Sequence, residues 1–297
     1  MSDYHKSVLL QETITYLDVK SGQKYIDGTL GGGGHTYEIL KHGGKVLGID
    51  VDEDALTFVK NDLGIKIKDL KFGEDLVLVK GNFKNIDSLA KEQGFDNVSG
   101  ILLDIGVSSH HFEDPERGFS FQKEGPLDMR MDKDLSVKAE DLINGLSKNE
   151  LEELLIKFGE EPFSRRIVAA ILERRKIKRI ETTTELAEII RKAVPFIKKG
   201  INPATRVFQA LRIAVNDELF SLIDALPKAL SLLESKGRLA VISFHSLEDR
   251  IVKRTFIEFA EQGLGTIVTK KPIIPTAEEI EVNSRSRSSK LRVFEKI

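Results

Sequence analysis

Two carboxylates and a glycine loop are the chemistry-bearing features of the first 104 residues. The loop, Ile26-Asp27-Gly28-Thr29-Leu30-Gly31-Gly32-Gly33-Gly34-His35, follows a short apolar run and precedes a helical pattern. Asp50 closes the next apolar run, Lys45–Asp50, and Asp104 closes Ser99–Asp104. In doubly wound folds, a glycine loop after the first strand lets backbone approach a ligand over the strand ends. An acid about 20 residues further on holds ribose hydroxyls. The dinucleotide spacing G-x-G-x-x-G is absent, since Gly31-x-Gly33 leads to Thr36 and Gly32-x-Gly34 to Tyr37. The loop therefore fits a nucleoside ligand without a pyrophosphate and disfavours a nicotinamide-dependent oxidoreductase. Phe83, after the run Leu76–Lys80, is placed to lie against an adenine face, although such a residue read alone is more often a core aromatic.

The elements that position these groups alternate between strand and helix. Strands are expected at Tyr25–Asp27, Lys45–Asp50, Leu76–Lys80 and Ser99–Asp104, with helices over Thr36–Lys41 and Asp54–Lys60. Apolar strands without polar alternation predict a parallel sheet covered on both faces. From His110 the texture is loop-like as far as Met131, then helical over 138–192. Leu151, Leu154, Leu155 and Phe158 form one apolar stripe there. A helical stretch over 205–233, kinked at Pro227, precedes a last strand at Arg238–Phe244. The fold expected is α/β, with a Rossmann-like domain built from 1–111 and 208–297 and a helical insertion over 112–207.

Composition excludes several function classes. The 297 residues carry 45 Lys+Arg, 47 Asp+Glu and no cysteine, so disulfides, thiolate nucleophiles and cysteine-containing zinc sites are out. The six histidines (5, 35, 42, 110, 111 and 245) show no metal-ligand spacing, so no metal site is expected. The start, MSDYHKSVLLQETITYL, lacks the order of a secretory signal, and no apolar run is long enough to span a membrane. The expected compartment is the cytoplasm. The near-neutral total hides uneven charge. Residues 163–180 carry seven Lys/Arg and one Glu, 284–297 five Lys/Arg and one Glu, and 140–161 seven acids and two Lys. Such basic patches fit a phosphate-rich partner.

Longer blocks narrow the reading. HKSVLLQE at 5–12, DGTLGGGGH at 27–35, GIDVDEDAL at 48–56, GILLDIGVSS at 100–109, GPLDMRMD at 125–132, FGEEPFSRRI at 158–167, PATRVFQALRIAVNDEL at 203–219 and GRLAVISFHSLEDRIVK at 237–253 run nearly end to end. In these blocks the chain resembles the MraW family of 16S rRNA cytosine-N4 methyltransferases, and D-x-T-x-G-x-G resembles the first motif of S-adenosylmethionine-dependent methyltransferases. The resemblance implies S-adenosyl-L-methionine as cofactor and 16S rRNA of the small ribosomal subunit, at a cytidine in the decoding region (P site), as substrate. Cofactor contacts carry over to Gly33, Gly34, His35, Asp50, Phe83 and Asp104. His111 stands where the family commonly has glutamine, which makes that contact less secure.

Cytosine N4 is a poor nucleophile, so the site must align it and accept its proton. Asp104 is the candidate for that role. Asp104-Ile105-Gly106-Val107 lacks the prolines and aromatic of the [DNS]-P-P-[YFW] segment of many amino methyltransferases. Phe119 or Phe121 in Arg117-Gly-Phe-Ser-Phe121 is the candidate clamp for a base drawn from its stack. Arg117, Arg165 and Arg166 are candidate RNA contacts. Asp128 and Arg130 read either as a site or as an ion pair, and His245 as a pocket residue or a structural histidine. The competing class is a non-catalytic RNA-binding or assembly factor that keeps a cofactor fold. Oligomeric state is open, with a homodimer compatible.

Overall fold

A computed structural model describes residues 7–107, 109–194 and 202–297. His5 of the first sequence block and Ser108 of the fourth lie outside the described residues, as does residue 110 where side chains are concerned. The chain divides into two compact units, Met1–Ser108 with Leu219–Ile297, and Ser109–Glu218.

The first unit is a seven-stranded sheet in the order β3-β2-β1-β4-β5-β7-β6. Its strands are β1 (Lys24–Asp27), β2 (Lys45–Asp50), β3 (Leu76–Lys80), β4 (Val98–Asp104), β5 (Leu233–Ser243), β6 (Gly265–Ile267) and β7 (Lys290–Lys296). The first five run parallel, with the order reversing beside β1, and β7 enters antiparallel between β5 and β6. Reversal of strand order opens a crevice at the carboxyl ends of the central strands, where Asp27, Asp50 and Asp104 end up. Helices α1 (Leu10–Leu17), α2 (Gly34–Lys41), α3 (Glu53–Lys66) and α4 (Ile86–Glu92) connect or cover the early strands. Two apolar layers follow, one centred on Ile26, Leu47, Ile101 and Phe294, the other on Tyr25, Val46, Leu102 and Val293. Adjacent residues of one strand therefore serve opposite layers, which is why these strands are apolar without alternation.

The second unit contains α5 (Ser109–Glu113), α6 (Ala139–Gly145), α7 (Lys148–Gly159), α8 (Ser164–Ile177), α9 (Thr183–Ala193) and α10 (Ala204–Asn216). Ser147 and Glu150 form a reciprocal capping box at α7, and Thr182 caps α9. The apolar stripe of α7 is buried at Leu151, Leu154 and Leu155. The return to the sheet unit comes later than residue 208, because α10 packs against α7 and belongs with the helices. The expected helix over 205–233 is two helices. Asp217 takes a left-handed conformation with φ 52° and separates α10 from α11 (Glu218–Leu232), while Pro227 sits inside α11.

The C-terminal stretch was legible only as a basic tail, and the structure makes it an interior strand. Phe294 is fully buried, with its ring centroid 5.4 Å from Phe256 and 5.7 Å from Phe259 of α12 (Ser246–Glu261). Arg238 on β5 pairs with Glu295 opposite it at 2.9 Å. Phe294→Ala should therefore cost about 3–5 kcal/mol of stability. Urea denaturation would measure it, and a cost below about 1 kcal/mol would mean that β7 is peripheral.

Candidate active site

Backbone hydrogen bonds fix the glycine loop over the sheet edge. Gly28 N–H donates to Leu102 O of β4 (2.9 Å), and Leu30 N–H to Ile49 O of β2 (3.0 Å). Gly31 N–H donates to Asp50 Oδ2 at 2.8 Å, while Asp52 N–H donates to Oδ1 at 2.9 Å. Asp50 thus holds the loop and the start of α3 together. An ionised carboxylate offers about four acceptor sites, so a ribose diol can still be accommodated. Gly33 has φ 71°, and a Cβ there would lie 2.9 Å from Val59 Cγ2. Both backbone and space require glycine. Gly34 opens α2 against Ser7.

His35 and Asp104 meet beneath this loop. His35 is buried, and its Nε2 lies 3.1 Å from Val8 O. A carbonyl only accepts, so Nε2 carries the hydrogen and Nδ1 is the nitrogen facing Asp104 Oδ2, 3.9 Å away. Among the described residues, nothing hydrogen-bonds the buried Asp104 Oδ1. The residue's backbone N–H donates to Thr29 Oγ1 at 2.6 Å, and Thr29 N–H donates in turn to Asp27 Oδ1 at 3.3 Å. Thr36 Oγ1 donates to Asp27 Oδ2 at 2.8 Å. Asp27 and Thr29 thereby organise the loop around Asp104, and the sequence reading did not single them out. The D-x-T spacing was the available signal, since it sets an acid and a hydroxyl on either side of one turn.

Electrostatics at this edge are unusual. Burial, reinforced by the Asp27 charge, pushes the Asp104 carboxyl up to about 8, against a lowering hydrogen bond from Gly106 N–H and a further rise from Glu248. Burial also raises Asp27, to about 6, although Thr36 and Thr29 donate to it. Glu248, buried in the first turn of α12, accepts from Phe244 N–H (2.7 Å) and His245 N–H (3.2 Å). His245 Nε2 lies 3.0 Å from Glu248 Oε1. His245 accordingly caps α12, the structural role that sequence left open, and Glu248 is a third buried acid that sequence did not single out.

Phe83 opens a 3-10 turn after β3, and its Cβ lies 3.5 Å from where a Cβ on Gly28 would be. It packs partly buried against the core beside the loop, so both readings of it meet at one place.

These residues gather the glycine loop and the carboxylates of Asp27, Asp50 and Asp104 at the strand ends, and a second, independent line names the family. The profile of the MraW methylase family matches residues 2–297. The chain belongs to that family. The ribosomal RNA small subunit methyltransferase H of Clostridium botulinum (strain Kyoto / Type A2) is 47% identical over 313 residues, covering 99% of each chain. The protein of the same name from Carboxydothermus hydrogenoformans is 45% identical over 310 residues, covering 99% of this chain and 98% of its own. Among solved structures, an rRNA methylase from Streptococcus thermophilus aligns over 98% of both chains at 13% identity, with a TM-score of 0.46.

Several expected contacts of this MraW methylase lie in its helical unit. His111 is buried there with its ring 4.9 Å from that of Phe119. Phe119 is itself buried and also meets Phe112 edge-on at 6.4 Å, so it serves the unit's interior and is not an exposed clamp. Arg117, expected at RNA phosphate, is 7% exposed, and its Nη2 donates to the carbonyls of Arg130 (3.1 Å) and Met131 (2.9 Å). Phe121 is half-buried, edge-on to Phe208 at 4.9 Å. Asp128 and Arg130 form a two-pronged ion pair at 2.7 and 2.9 Å.

Asp104 couples stability to pH. Its acid form is favoured by the fold, so that stabilisation is fully present below the ordinary value of 3.8 and is lost as pH rises through about 8. Asp104→Asn, neutral throughout, should gain stability over wild type by a margin that grows between those limits and then levels off. The gain is on the order of a few kcal/mol, at about 1.4 kcal/mol per pKa unit. Thermal melts across that pH range would show it, and a margin independent of pH would contradict the raised carboxyl.

Proposed function

We propose that this methylase transfers a methyl group to the exocyclic N4 of a cytidine in the decoding region (P site) of 16S rRNA within the small ribosomal subunit. The methyl donor is S-adenosylmethionine, which supplies an electrophilic methyl on a sulfonium. The glycine cradle and the partnerless Asp104 Oδ1 fit a nucleoside cofactor and an amine beside it. Gly33, Gly34 and His35 would hold the cofactor from the loop, Asp50 its ribose, and Phe83 its adenine.

Asp104 carries the reading. As carboxylate, Oδ1 accepts a hydrogen bond from the N4 amine and fixes the remaining lone pair toward the methyl. As the new N–C bond forms and the S–C bond breaks, one N4 proton leaves, and Asp104 takes it. A carboxylate whose proton affinity is raised by burial is a better acceptor than one in water. His35 stands beside it, with Nδ1 3.9 Å from Asp104 Oδ2.

The helical unit supplies the RNA contact. Most charges in its basic segment are already engaged. Arg174 pairs with Glu185, Arg179 with Glu140 and Asp141, Lys176 with Glu173 and Lys178 with Glu181. Arg175 donates to the carbonyls of Ile143 and Leu146. Arg165 and Arg166 are exposed and, among the described residues, carry no ion pair. They occupy the first turn of α8, where the helix dipole disfavours cations by about 0.3–1 kcal/mol each. Two unpaired arginines in an unfavourable place, beside a cavity of about 560 Å³, support phosphate binding. Phe121 remains the aromatic offered to an extruded base. No described helix is long and apolar enough to cross a membrane. The cytoplasm, where ribosomal subunits are made, is the compartment that fits this substrate.

Purified protein, labelled S-adenosylmethionine and assembled small subunits should yield N4-methylcytidine, identified by nucleoside digestion. Label on another position would refute the N4 assignment, and no label would favour an assembly factor that binds without catalysis. Replacing Arg165 and Arg166 together by glutamate should raise KM for subunits at least about tenfold with kcat little changed. It should also flatten the salt dependence of binding, by about 0.7–0.9 in log–log slope per lost phosphate contact. An unchanged slope would remove these arginines from the interface.

A further inference from the structure

The sheet unit contains a second cavity that the reading above does not use. It has a volume of about 320 Å³ and is lined by Phe244, His245, Ile274, Pro275, Arg287 and Lys290, among others, none of them acidic. Its rim is the serine–arginine stretch at the start of the basic segment 284–297. The structure folds that stretch into a 3-10 turn, Ser284–Ser288. Ser286 Oγ donates to Asn283 O (2.8 Å) and Ser289 Oγ to Ser286 O (2.7 Å), with both serines buried. Residues three apart are thereby pinned inward, and Arg287 is left exposed at the cavity mouth.

Charge at the rim is in excess. Lys290 Nζ lies 3.2 Å from Asp249 Oδ2, but Arg292 claims the same carboxylate at 2.7 Å, so one acid serves two cations. Arg287 adds a third cation. The inner wall is apolar, with Ile274 at 63% exposure and the Phe244 ring packed so closely on Gly106 that a Cβ there would lie 2.5 Å from it. His245 Nε2, 3.0 Å from Glu248 Oε1, makes no aligned hydrogen bond among the described residues. An apolar wall, surplus cations and space for one small planar group match a nucleotide, with its base on the wall and its phosphate on the rim.

Position narrows the source of that nucleotide. Ile242 pairs with Asp104 across β4 and β5, and the cavity opens just beyond the end of β5. We propose that this cavity is a subsite for a nucleotide flanking the target in the RNA strand, its phosphate held by Arg287 and Lys290 and its base by Phe244 and Ile274. The inference rests on the RNA reading above and adds where the neighbouring residue of the strand is held.

The test is equilibrium binding of a fluorescent 16S rRNA fragment to wild type, Arg287→Ala and Arg287→Lys over a salt series. Binding of S-adenosylhomocysteine is measured in parallel. Arg287→Ala should weaken RNA binding about threefold or more at low salt and reduce the log–log slope by about 0.7–0.9, the value for one phosphate. Arg287→Lys should restore the slope, and cofactor affinity should not move in either variant. An unchanged slope in Arg287→Ala, or a parallel loss of cofactor affinity, overturns the subsite. The two readings fail separately. N4-methylcytidine formed by wild type with an unchanged Arg287→Ala slope removes the subsite alone. A lost slope without methylated product supports the subsite and removes the methyl transfer.

Discussion

Ionising Asp104 is opposed by burial and by the charge on Asp27, so the sheet holds at the end of β4 an acid that water would have kept charged. Much of the surrounding architecture serves that placement. Thr29 ties the Asp104 backbone to the glycine loop and, through its own N–H, ties the loop to Asp27. Asp50 fastens the same loop to the end of β2. A crevice built by strand reversal is thus closed by three acids with different tasks: one organises backbone, one anchors a turn, and one is left with an unsatisfied oxygen. Leaving a buried polar atom unsatisfied costs about 1–3 kcal/mol. A donor arriving at that oxygen would recover the cost, and the proposed substrate amine is such a donor.

The sheet edge was largely readable from sequence because its signals are local. β2 and β3 begin and end where the apolar runs do, and Asp50 and Asp104 were visible as polar residues terminating those runs. What stayed hidden depends on partners far apart in the chain. Glu248 meets the Asp104 field only because β5 lies beside β4. β7 reads as a basic tail until Phe256, Phe259 and Asp249 of α12 are folded over it. The Arg-Gly-Phe-Ser-Phe segment had the composition of an RNA loop, yet Arg117 and Phe119 are interior groups, since two backbone carbonyls and two rings claim them first.

The same sorting changes the meaning of the charge count. A total of 45 basic and 47 acidic residues is near balance. In the helical unit, Glu140, Asp141, Glu173, Glu181 and Glu185 pair with four of the seven cations of the basic run. Exposed arginines without an ion pair among the described residues include Arg165 and Arg166 on α8 and Arg287 on the serine turn. Recognition of a polyanion by a near-neutral protein then depends on which cations lack partners, and their number sets the salt sensitivity.

The central claim is that Asp104 receives the N4 proton, and a single-turnover pH–rate profile tests it most directly. Wild type should speed up about tenfold per pH unit below the apparent pKa of the bound complex and level off above it. Asp104→Asn should be slower by about two orders of magnitude or more, the usual size of a general-base contribution, with no such rise. A wild-type rate independent of pH, or an Asn variant that keeps both rate and profile, would contradict the account.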